Sequence, residues 1–178
     1  MPFAYYQRLS ARDRAIYRRS DAVSSVTLPR PDELRALVHA LQQAHATEDR
    51  RGIEAAAGAL ARGLAGQLEL APVAIEVLAV RPSADWGELH GLYTREAARM
   101  PRIQLWMRTA RHKRLVAFRS FLRTLLHEIG HHVDYERLAL ADSFHTEGFF
   151  RRESSLFHQL MPEAKDPTPA GESPAGAS

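Results

Sequence analysis

The chain has no cysteine in its 178 residues, which excludes disulfides and thiolate metal ligands and fits a reducing compartment. It also lacks any apolar run approaching a membrane span. Its opening residues, Met1-Pro2-Phe3-Ala4-Tyr5-Tyr6-Gln7-Arg8, contain no stretch suited to a signal peptide. The expected location is therefore the cytoplasm. Charge of one sign is not in large excess either: the net charge is only +3, although abundant arginine lifts the isoelectric point to 9.6. The basic residues come in short clusters, Arg18-Arg19, Arg50-Arg51, Arg111 to Arg114 and Arg151-Arg152. Such clusters could touch the phosphates of a nucleic acid, but solvated helix faces are the simpler reading. A hydrophobic content of 45% and a charged content of 25% are ordinary for a globular protein. The length suits one core with a helical appendage.

In chain order, Ser10 is an N-cap candidate for a short helix reaching about Arg19, and residues 20–30 read as a linker. Pro31-Asp32-Glu33 has the proline and the acidic first turn of a second helix, with Leu34, Leu37, Val38 and Leu41 on its buried face. A third helix is predicted from about Glu48 to Leu68, its many alanines and glycines suited to close packing on another helix. The pattern changes at Pro72. Val73, Ile75, Val77 and Ala79 alternate as a strand, Asp85-Trp86-Gly87 reads as a turn, and Glu88–Thr94 and Arg102–Met107 read as two more strands. Gly91 allows a bulge or a close backbone approach. A helix follows, starting between Thr109 and Ser120 and ending near Leu138; after a loop at 139–145, a last helix begins at Glu147 with Thr146 or Ser143 as its cap. The resulting class is α+β: helical residues 1–71, a core at 72–161, and a Pro/Ala/Gly/Ser-rich tail at 162–178 expected to be disordered.

The run His127-Glu128-Ile129-Gly130-His131-His132 carries the chemistry. It matches H-E-x-x-H, in which two imidazoles one helical turn apart grip one metal ion and the adjacent carboxylate handles a water proton. With nine His and 13 Glu available, a chance match is expected only about 0.03 times in such a chain. Phe118, Phe121, Leu122, Leu125, Leu126, Ile129 and Val133 form one apolar arc. His127, His131 and Asp134 fall on nearly the opposite side, away from the face expected to bury the helix. Gly130 would let something approach a cleft wall closely, at about 1 kcal/mol of helix propensity. A catalytic zinc takes three protein ligands and leaves one position open, so a third ligand is needed. Asp134 and Arg137 stand where a metzincin would have Gly and His. Glu153, Glu147 and His145 remain; Glu153 is preferred because 22 residues after His131 allow a second helix to return, with Ser154 and Ser155 permitting close approach. Asp134 suits the role of acceptor for an imidazole N–H.

The stretch His127 to Asp134 resembles the H-E-x-G-H-x-V-D helix of gluzincin metallopeptidases, including the anthrax-lethal-factor type and the minigluzincins. The likeness spans about residues 72–160, and the pattern from Ser143 to Leu156 suggests a bacterial group of its own. It implies a zincin-like core: a small, mainly antiparallel sheet, the H-E-x-x-H helix and a glutamate-bearing helix whose Glu, here Glu153, is the third ligand. It also implies an edge strand that pairs with peptide substrate, in the place of Arg102–Met107. The SprT-like proteases of DNA–protein crosslinks are similar in size and basic character and use a third histidine, which would favour His145. The expected activity is zinc-dependent hydrolysis of a peptide or protein, with Glu128 as general base. His145, Tyr93 and Tyr135 are the candidate oxyanion donors. A metal-binding module without activity is the alternative, as is a protease acting on nucleic-acid-bound proteins.

Overall fold

The computed structural model describes residues 3–85 and 87–162. A short 3-10 helix, Ala4–Arg8, leads into α1 (Ala11–Asp21), α2 (Pro31–Ala46) and α3 (Arg50–Leu68). Ser10 caps α1 by accepting from the Asp13 N–H, Pro31 sits in the first turn of α2, and Asp49 caps α3 by accepting from the Arg51 and Gly52 N–H groups. The small residues of α3 do serve close packing: a Cβ at Gly63 would lie 2.6 Å from Leu34 of α2.

The strands are β1 (Ala74–Val80), β2 (Ser83–Ala84), β3 (Gly87–Glu88), β4 (Gly91–Thr94) and β5 (Arg102–Arg108). β2 and β3 form a small antiparallel pair; Trp86, the centre of the expected turn between them, lies outside the described residues, as does 163–178 of the expected tail. The single strand expected over Glu88–Thr94 is two. The Leu89 N–H turns away to the Pro82 carbonyl at 3.1 Å, so the chain leaves one pairing before joining the next. The main sheet has the order β1-β5-β4. β1 and β5 run parallel and β4 and β5 antiparallel, so the sheet is mixed rather than mainly antiparallel. β5 is its centre, not its edge.

Register fixes which face carries the core. Val77 pairs with Leu105, and Gly91 and Tyr93 pair with Leu105 and Ile103, so these residues share one face. Val77, Ile103, Leu105 and Met107 join the apolar residues of α2, α3, α4 (Phe118–Glu136) and α5 (Glu147–Leu160) in one continuous core. Each fully buried Leu or Phe there contributes about 1.5–3 kcal/mol. The other face carries Glu76, Gln104 and Leu92, with Leu92 exposed. The two edges of the sheet differ. At the β1 edge, the Val77 N–H donates to Glu54 and its carbonyl accepts from Arg50, both of α3. β4 lies against α4 on the core face. Among the described residues no helix is long and apolar enough to cross a membrane.

Candidate metal centre

α4 carries His127 and His131 on one stripe, and the structure closes a site over that stripe. A loop from Arg137 to His145 leads to α5, whose Thr146 cap accepts from the Phe149 N–H at 2.9 Å. This turn brings His145 to the pair: its Nε2 lies 3.0 Å from His127 Nε2 and 3.2 Å from His131 Nε2. The metal-binding atoms of the three residues lie within 4.8 Å of one another. Phe149 packs against all three rings, with centroids 5.0, 4.9 and 5.3 Å away.

The outer nitrogens set the tautomers. His127 Nδ1 lies 2.9 Å from Glu153 Oε2, an acceptor, so the proton sits on Nδ1. His131 Nδ1 lies 2.7 Å from Ser143 Oγ, whose own hydrogen goes to Asp134 Oδ2 at 2.8 Å; Ser143 therefore accepts from His131. Both Nε2 atoms thus turn lone pairs inward. His145 has a single Nε2 proton at most and cannot satisfy both. Burial, then the neighbouring His127 and His145, push the His131 imidazole down to about 3. Burial and His127 also lower His145. Both rings are neutral at pH 7, which leaves their lone pairs free.

Several expectations change. Glu153 is not in the cluster. It reaches His127 from the outside on Nδ1, because α5 returns one layer away from the stripe, and its second oxygen lies 3.7 Å from Arg123. Glu147 is half-buried at the start of α5, 2.5 Å from Arg151. Asp134 does not face a cleft: it is fully buried, 2.6 Å from Arg152, which is itself only 1% exposed. Its tie to His131 runs through Ser143. Gly130 does not line a cleft wall; what approaches it is the Phe149 ring, 3.0 Å from where a Cβ would stand. The side of α4 opposite its sheet-facing arc is covered by α5.

Glu128 projects toward β4. A Cβ at Gly91 would lie 2.5 Å from Glu128 Oε1, so Gly91 is required for this close approach. The carboxyl is pushed up to about 7 by burial, against the opposing effects of His127 and the Tyr93 backbone N–H. It borders two recesses that also share Gly91 and His127. One of ≈ 310 Å³ extends to His90, Arg123 and Thr124; the other of ≈ 330 Å³ extends to Tyr93, Tyr135 and His145. Tyr93 is not free to stabilise an oxyanion. His132 Nε2 donates to the Ala71 carbonyl at 2.8 Å, so its Nδ1 accepts the Tyr93 hydroxyl at 3.0 Å. Burial raises that phenol to about 12. Tyr135, also raised by burial, lines the second recess, its hydroxyl 3.3 Å from Asp142.

His132, Ser143, Phe149 and Arg152 all act here, in roles the sequence did not reveal. His132 showed only as a third histidine beside the motif, Ser143 as a cap candidate, Arg152 as one of an arginine pair, and Phe149 as part of the pattern from Ser143 to Leu156. No family model matches the chain, and no curated protein and no solved structure matches it.

Proposed function

We propose that the protein is a zinc-dependent peptidase whose ion is held by His127, His131 and His145. The observation that supports it is the inward convergence of three Nε2 atoms with the outer nitrogens of two of them fixed by acceptors. Tetrahedral zinc with ligands at about 2.0–2.1 Å sets its nitrogens about 3.3 Å apart, close to the 3.0 and 3.2 Å found. The lone-pair excess of the cluster suits a cation, and three ligands leave one position for substrate or water. When bound, zinc supplies Lewis acidity toward water and a carbonyl oxygen.

Glu128 then takes the water proton. A carboxyl pushed up to about 7 is well matched to accept a proton at neutral pH and return it to a leaving amine. Both hydroxyls donate within the fold, Tyr93 to His132 at 3.0 Å and Tyr135 to Asp142 at 3.3 Å. The longer bond and the place of Tyr135 in the recess with His145 make it the side chain better able to turn toward a developing oxyanion. β4, bonded to a neighbouring strand only on its β5 side among the described residues, offers its edge to an extended peptide across the two recesses. It takes the role expected of β5. His145 as third ligand departs from the gluzincin likeness and agrees with the SprT-like one. With the exposed Arg111 to Arg114 loop, this favours a cytoplasmic peptidase acting on nucleic-acid-bound proteins as the second reading. A steep fall of DNA binding with salt would support it.

The test is metal analysis with Glu128→Gln. The variant should keep one zinc per chain and lose cleavage of an unstructured protein such as casein. Zinc bound by both forms with no difference in cleavage would leave a metal-binding module without hydrolytic activity.

A further inference from the structure

His145 belongs to a loop with no strand or helix of its own between Arg137 and Thr146, yet its ring must meet two others within a few tenths of an ångström. The residues that fix this loop come from far away in the chain. The Tyr5 hydroxyl donates to the His145 carbonyl at 2.8 Å. The Tyr17 ring lies 6.4 Å from that of Phe144, and its hydroxyl accepts the Phe3 N–H at 3.1 Å. Tyr5 and Tyr6 both pack on Tyr17, at 5.9 and 5.0 Å. At the end of α1, Asp21 Oδ1 accepts the Gly148 N–H at 2.8 Å. There a Cβ on Gly148 would stand only 2.4 Å from the Asp21 carbonyl oxygen, so the α1 terminus and the start of α5 are fitted backbone to backbone.

We propose that residues 3–21 are a built-in cradle for the metal site, with Tyr5 the positioning residue that sets His145, so that metal retention depends on docking of this segment. This rests on the three-histidine reading above. His127 and His131 have their geometry from α4. Their rings are oriented by Glu153 and Ser143, whereas the gain from the third ligand is realised only while the cradle is seated. Displacing the Tyr5 end of the segment would therefore lower metal affinity toward that of the His127–His131 pair, which makes the segment a point of control.

The experiment compares wild type, Tyr5→Phe, Tyr5→Ala and the control Gln7→Ala, whose side chain lies on the same segment. Zn2+ affinity is measured by competition with a chromophoric chelator, and Co2+ is used for its visible absorption. Loss of one hydrogen bond should weaken Zn2+ binding about two- to tenfold in Tyr5→Phe, and more in Tyr5→Ala. The Co2+ bands should shift from the wild-type pattern and metal exchange should quicken, while the melting temperature of the metal-free protein barely moves and Gln7→Ala stays like wild type. Unchanged affinity and Co2+ spectrum in both Tyr5 variants would overturn the proposal. If the wild type itself takes up no metal, the three-histidine reading fails. The cradle is then read from hydrogen exchange, where Tyr5→Phe should speed exchange at Thr146, whose N–H donates to the Phe144 carbonyl; unchanged exchange there would overturn it.

Discussion

The site is assembled from two regions of opposite character. His127 and His131 stand on a 19-residue helix, where rise and twist alone put them on one stripe. His145 stands on a loop and owes its position to Tyr5, Tyr17 and Asp21, which lie more than 120 residues away. A histidine cluster able to hold a metal ion thus takes part of its precision from local geometry and part from tertiary contacts, and the two halves should fail differently under mutation.

Breaking the helical half should have the largest effect. His131→Ala should abolish stoichiometric zinc as measured by elemental analysis of the dialysed protein, and zinc retained at one per chain would remove the centre proposed here. Glu153→Gln leaves the ligands in place but takes the charge from the acceptor on His127 Nδ1; an affinity loss of about 10–100-fold is expected. Equal affinity would mean that Glu153 orients nothing.

The link between the halves is the buried pair Asp134–Arg152. Arg152 also donates to the Ser20 carbonyl and hydroxyl, so it ties the end of α1 to α4. Arg152→Met strands a buried carboxylate and should cost about 3–5 kcal/mol in urea denaturation. A loss below 1 kcal/mol would show the pair to be dispensable. Gly148→Ala presses a methyl group into the Asp21 backbone, and about 1–3 kcal/mol is expected by the same measurement.

The smallest effects are set by pH in the metal-free protein, and they carry opposite signs. Glu128 is raised to about 7 from 4.5. The folded state holds its proton more tightly, so this stability is present below pH 4.5 and is lost as pH rises through 7. Glu128→Gln should therefore stabilise the metal-free protein by about 1–3 kcal/mol at pH 8 and leave it unchanged at pH 4. His131 is lowered to about 3 from 6.5, so stability falls as pH drops from 6.5 toward 3, and His131→Gln should flatten that limb. Thermal melts across this range check both; a Glu128→Gln difference that does not vary with pH would show its carboxyl to be unperturbed.

The same division explains what could be read in advance. The α4 motif, the caps at Ser10 and Thr146, Pro31 at the start of α2 and the close approach at Gly91 are local in sequence, so periodicity and residue type reveal them. The spacing points to Glu153 as the third metal ligand, whereas Glu153 meets the outer nitrogen of His127 and His145 joins the cluster, because spacing alone does not say which side of an imidazole a returning helix will reach. The tie from Asp134 to His131 depends on the single hydroxyl of Ser143, and the commitment of Tyr93 depends on His132 reaching Ala71. These contacts are set by how elements cross, and no short pattern encodes them. The exchange of β4 for β5 as the edge has the same origin: chain order does not fix strand order once β1 pairs in parallel with β5.

The backbone fit between Asp21 and Gly148 also bears on the order of folding. Closing that contact joins segments 127 residues apart in the chain, and such long closures come late because their entropy cost precedes any reward. The helix bearing His127 and His131 can form and pack early, while His145 must wait for the chain to come full circle. Metal should thus enter a nearly finished molecule, acting as the last component of assembly and not as its template.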